Sequence, residues 1–74
     1  MLFPVAVVSY PMVYIVIAEL DYEGLDVKFA CSDKNEAVVF AEEWSKSDEA
    51  DHYVFAYVEE WNGAVSNGKV WNWE

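Results

Sequence analysis

Only one patterned stretch of this 74-residue chain, NEAVVFAEEW at 35–44, repeats its apolar residues at helical spacing; elsewhere they alternate or run unbroken. Ala37, Phe40, Ala41 and Trp44 stand at i, i+3, i+4 and i+7, one face of a helix, while Glu36, Glu42 and Glu43 fall largely off it. Ser32 and Asp33 are candidate N-caps, and Asp33 with Glu36 has the spacing of a capping box. A single amphipathic helix must lie on something, and the flanking segments supply strands. MVYIVIAEL at 12–20 is nearly all apolar, as in a central strand covered on both faces. After a turn around Gly24, LDVKFAC at 25–31 alternates, with Leu25, Val27, Phe29 and Cys31 on one face and Asp26, Lys28 and Ala30 on the other.

Beyond the helix, SKSDEAD at 45–51 reads as a polar acidic loop. HYVFAYVEEW at 52–61 is a third strand, setting Tyr53, Phe55 and Tyr57 against Val54, Ala56 and Val58. KVWNWE at 69–74 is the last strand. Asn62-Gly63 and Asn67-Gly68 each signal a type I′ hairpin turn, and the sequence does not choose between them. The order is ββαββ: an α+β fold, an antiparallel sheet with one helix packed on one face.

The chain reads as a single domain, 1–74, with a ββαββ core at 12–74 and residues 1–11 as an N-terminal arm or extra strand able to pair across a dimer. The uncharged start, MLFPVAVVSYPMVYIVIA, has the length of a membrane span. Pro4 and Pro11 interrupt it, and VYIVI is β-branched and aromatic, so the reading is strand, with no membrane partner. It also lacks the basic start and small-residue cleavage site of a secretory signal. Cys31 is the only cysteine, so no disulfide supplements a core that can bury only about 60% of the unfolded surface. A lone thiol fits a reducing, cytoplasmic setting. Four Trp, five Tyr and four Phe exceed what one small core hides, and a homodimer is the expected supplement.

Fourteen acids face four basic residues, all lysine, for a net charge of −10. Such a chain repels phosphate backbones and anionic membranes, so direct nucleic-acid binding is excluded and partners should be basic. Catalytic equipment is equally sparse. Cys31 reads as a core thiol and His52 as a surface histidine. Glu19, Asp21, Glu23 and Gly24 match the first positions of a calcium-binding EF-hand loop, but the closing glutamate position is Ala30 and the flanking helices are missing. No phosphate loop or dinucleotide fingerprint occurs. The expectation is a non-enzyme without cofactor or metal.

What remains is surface. Glu19, Asp21 and Glu23 would form a row of carboxylates about 6.6 Å apart if the strand continued that far, with Asp26 across the turn. Glu42, Glu43, Asp48, Glu49 and Asp51 form a second group, and Glu59 with Glu60 a third. Carboxylates at nucleotide-like separations can occupy a DNA-binding groove, and basic partners are steered to them in a salt-dependent way. The alternative site is aromatic: Trp61, Trp71 and Trp73 near the last hairpin, the residue type that dominates interface hot spots, unless they fill the core or a dimer interface instead.

In its layout, with MVYIVIAELDYEG and the helix SDKNEAVVFAEEW, the chain resembles the small acidic host-takeover proteins of bacteriophages. These include DNA mimics that block nucleoid proteins such as HU, anti-CRISPR proteins and acidic RNA polymerase inhibitors. The resemblance implies an acidic inhibitor that competes with DNA for a basic DNA-binding host protein. Its alternative is an aromatic-surface inhibitor of a host enzyme such as RNA polymerase or a CRISPR complex.

Overall fold

The computed structural model describes residues 12–21 and 24–73. Strands β1 (Met12–Leu20) and β2 (Gly24–Cys31) form a hairpin, helix α1 (Lys34–Ser45) follows, a 3-10 turn spans Asp48–His52, and β3 (Phe55–Asn62) and β4 (Val65–Asn72) form a second hairpin. The sheet is antiparallel in the order β2-β1-β3-β4, which makes the apolar run of β1 a central strand. Fold class and element order are those read from the sequence. The N-terminal arm, residues 1–11, lies outside the described residues.

Asp33 is the N-cap: its extended backbone lets the side chain accept from the Glu36 amide at 3.2 Å. Ala37, Ala41 and Trp44 are buried and Phe40 is half-buried, so the i, i+3, i+4, i+7 stripe is the face laid on the sheet. Beneath it, Tyr14, Val16 and Ala18 of β1 meet Ala56 and Val58 of β3. This core is built of small side chains. The largest that are fully buried are Val16 and Val58, and Phe29, Phe40, Trp71 and Trp73 close it from the sides.

Three features depart from the sequence reading. The alternation of β2 is broken, because the register with β1 passes from Val16–Phe29 to Ile17–Val27 and leaves Lys28 as the extra residue of a β-bulge. Phe29 and Cys31 therefore face the helix, while Leu25 and Val27 turn to the opposite face, 59% and 65% exposed. Second, the third strand starts at Phe55, since 48–52 winds into a 3-10 turn. Tyr53, expected beside Phe55 and Tyr57, instead packs with Trp44 on the helix side. Third, the last strand, expected from Lys69, starts at Val65: Asn62 pairs with Val65, so of the two turns left open the first closes the hairpin, with Gly63 and Ala64 as its loop and Gly63 at φ 61°. The second pair, Asn67-Gly68, lies inside β4 where the register slips opposite Glu60 and Trp61. Gly68 sits there at φ 96° with open space around its Cα, so backbone conformation and not crowding requires the glycine.

The helix and the 3-10 turn both pack on one side. The other side carries Val13, Ile15, Ile17 and Glu19 of β1 beside Trp61, Glu59, Tyr57 and Phe55 of β3. No helix among the described residues is long and apolar enough to cross a membrane.

Candidate functional site

The fold gathers most of the acids singled out in the sequence at one end. The Glu19 carbonyl accepts from the Val54 amide at 2.9 Å, which brings the β1–β2 turn beside the segment that enters β3. Asp21 stands on that turn, exposed. Asp48, Glu49 and Asp51 are exposed on the 3-10 turn at the same end, and Glu42 and Glu43 occupy the last turns of the helix that leads into it. Asp21, Glu42, Glu43, Asp48 and Asp51 make no ion pair with another described residue.

Asp26 and Glu49 differ from these, because the bulge carries Lys28 to the helix side between them. The Lys28 ammonium donates to Glu49 Oε2 at 3.0 Å, stands 3.8 Å from Asp26 Oδ2, and lies 4.6 Å above the centre of the Tyr53 ring. The Tyr53 hydroxyl donates to Asp26 Oδ2 at 2.8 Å, and the Trp44 indole N–H donates to Glu49 Oε1 at 2.7 Å. Both carboxylates are thus held in place by aromatic donors as well as by charge. The Tyr53 hydroxyl and Glu49 raise the Lys28 ammonium above its ordinary value. The Trp44 bond, then Lys28, holds Glu49 below the usual carboxylate range.

A pH dependence follows from Glu49. A carboxylate whose folded pKa is depressed adds stability above its unfolded value, and that contribution disappears as pH falls through the folded value. At pH 7 the native chain should therefore be more stable than Glu49→Gln. The gap between them should close as pH drops below the ordinary glutamate value of 4.5, read as urea midpoints from pH 7 to pH 3. A gap unchanged across that range would mean that the ionised form gains nothing from Trp44 and Lys28.

The row of carboxylates along one strand does not form as expected. Strand β1 ends at Leu20, so Asp21 leaves the row; Glu19 lies half-buried on the face away from the helix; Glu23 is outside the described residues. Glu59 and Glu60 point to opposite faces. Glu59 accepts from the Trp61 indole at 2.8 Å, and Glu60 from the Tyr14 hydroxyl and the Asn67 amide at 3.0 Å each.

The tryptophans divide likewise. Trp73 meets Trp44 edge-on at 6.1 Å and Trp71 packs against both parts of the core, so both rings serve the helix side. Trp61 alone of the three lies on the opposite face. Cys31 donates to the Asp33 carbonyl at 3.1 Å at one end of β2. His52 is in the 3-10 turn, next to the Tyr53 that reaches Asp26 near the other end, so the two lie on the order of 15 Å apart. Among the described residues there is no pocket and no group of His, Cys, Asp and Glu placed to hold a metal ion.

What sequence reasoning missed is that Lys28 and Tyr53 tie together Asp26 and Glu49, two acids it places in separate groups. Its only sequence signal is Lys28 itself, the one basic residue in an otherwise acidic or apolar hairpin. No family model, curated protein or solved structure matches the chain.

Proposed function

We propose that the chain is a binding protein, not an enzyme, and that its acidic end occupies the nucleic-acid site of a basic DNA-binding partner. In the setting that the resemblance implies, this is a DNA mimic acting on a host protein of the HU nucleoid type. The observation that carries the reading is the convergence of Asp21, Glu42, Glu43, Asp48 and Asp51, none of them in an ion pair with another described residue, around Asp26 and Glu49. Held carboxylates lose less entropy on binding than free side chains do, so a fixed pair within a field of unpaired ones suits recognition of cationic side chains. The aromatic alternative is less supported, since Trp71 and Trp73 are engaged with the helix-side core.

The test is capture from bacterial lysate with this chain as bait, followed by a salt gradient and by competition with duplex DNA. A DNA-binding protein released at moderate salt and displaced by the duplex is the expected result, because an interface of charges at the surface is screened as ionic strength rises. A partner that survives high salt and ignores DNA would overturn it and move the function to the uncharged surface.

A further inference from the structure

Both Asn-Gly pairs of the chain lie in the second hairpin, and only Asn62-Gly63 serves as its turn. The same dipeptide is also open to a reaction of its own, because glycine has no Cβ to shield its nitrogen from the asparagine side chain before it. That reaction needs a glycine N–H that base can reach and a carboxamide that can rotate to meet the nitrogen. We infer that Asn62 is a site of spontaneous modification, converted by water to aspartate and isoaspartate, while the fold protects Asn67 from the same change.

The chemistry balances without an oxidant or reductant. The Gly63 nitrogen gives its proton to base and attacks Asn62 Cγ. A bond forms between them, the bond from Cγ to Nδ2 breaks, and ammonia leaves with a proton from water. Water then opens the resulting succinimide at either carbonyl bound to that nitrogen. Opening at Cγ gives aspartate; opening at the main-chain carbonyl gives isoaspartate.

The two pairs sit in opposite settings. Asn62 is exposed at the end of β3, and Gly63 is exposed in the loop, outside the ladder. The Gly63 amide and the Asn62 carboxamide donate to no other described residue. Asn67 is pinned instead: its Nδ2 donates to Glu60 Oε1 at 3.0 Å, and Glu60 is itself held by the Tyr14 hydroxyl. The Gly68 N–H donates to Ser66 Oγ at 3.2 Å, and Gly68 is half-buried opposite Glu60. Attack at Asn67 therefore requires a local opening that breaks both bonds. Its product would also set a second carboxylate against Glu60 in place of a donor. At Asn62, isoaspartate would lengthen the main chain by an extra atom in the residue that pairs with both Val65 and Met12. The inference is independent of the proposed function, since neither asparagine belongs to the acidic end.

Incubation of the full chain in mildly alkaline buffer decides it, with fragment mass spectra that separate conversion at residue 62 from conversion at residue 67. In the native chain Asn62 should convert at least about tenfold faster than Asn67, the effect of two hydrogen bonds of ordinary net strength. The rate should rise with pH, because base must remove the glycine proton. In urea, where the fold no longer distinguishes the pairs, the two rates should converge. Ser66→Ala, at an exposed position, should speed Asn67 several-fold and leave Asn62 unchanged. Equal native rates, or faster conversion at Asn67, would overturn the inference. So would a native chain in which neither residue converts while both do in urea, or a Ser66→Ala chain whose Asn67 reacts no faster.

Discussion

Trp44→Ala should remove most of the stability of this domain, by about 3–5 kcal/mol in urea unfolding followed by circular dichroism. The reason lies in what surrounds the indole. Trp44 is 7% exposed and packs on Ala18, Ala50 and Ala56, side chains too small to close over the space it leaves. Its ring meets Tyr53 edge-on at 5.1 Å and Trp73 at 6.1 Å, so truncation strips both of a partner. Its N–H also holds Glu49 at 2.7 Å, and without it the carboxylate that receives Lys28 loses one of its two donors. A chain of this size has about 4–11 kcal/mol of total stability, so the loss is comparable to the whole. Trp44→Phe keeps a six-membered aromatic ring but loses the N–H and the rest of the five-membered ring, so its expected cost, about 1–3 kcal/mol, combines the lost hydrogen bond with a smaller cavity than alanine leaves. If Trp44→Ala unfolded within about 1 kcal/mol of the native chain, the alanine floor would have to collapse onto the cavity, contrary to one large ring resting on three small side chains.

That dependence on one indole explains why the helix was legible in the sequence. Its cap, Asp33, and its stripe, Ala37, Phe40, Ala41 and Trp44, satisfy local rules that the sheet also requires, so local and tertiary preferences agree. The strands were legible as elements but not as faces. Leu25 to Cys31 alternates without a flaw, and a bulge at Lys28 changes which face Leu25 and Val27 occupy without changing a single local preference. What stabilises that bulge is long-range: Lys28 reaches Glu49 and Tyr53, more than twenty residues away. Asn67-Gly68 misleads for a related reason. The positive φ that suits a hairpin turn also suits a bulge glycine, and only pairing with β3 distinguishes the two. Of the candidate site, Asp48, Glu49 and Asp51 were legible as a contiguous group. Their meeting with Asp21 and Asp26 depends on the bond between Val54 and Glu19, which no pattern announces. The straight row proposed for Glu19, Asp21 and Glu23 assumed that β1 continued past Leu20, where the chain turns instead.

Neutralising Glu42 and Glu43 together, as Glu42→Gln with Glu43→Gln, should move stability and partner binding in opposite directions. Both lie near the C-terminal end of the helix, the negative end of its dipole, where the carbonyls of Glu42, Glu43 and Trp44 are capped by Ser45, Lys46 and Ser47 and no basic residue occupies the last turn itself. Carboxylates there are unfavourable by about 0.3–1 kcal/mol each, and Asp48 and Asp51 on the following 3-10 turn add repulsion. Glutamine keeps the side-chain length and helix propensity while removing the charge. The double variant should therefore be more stable by about 1 kcal/mol, a rise of about 4–8 °C in the unfolding midpoint for a domain of this size. At the same time it should bind a basic DNA-competing partner about tenfold more weakly at low salt, and the difference should shrink as salt rises. Calorimetry of the free variant and titration against the captured partner read the two effects separately. Acids retained only for solubility would give the gain in stability with binding unchanged. Only acids that a partner reads give the gain and the loss together.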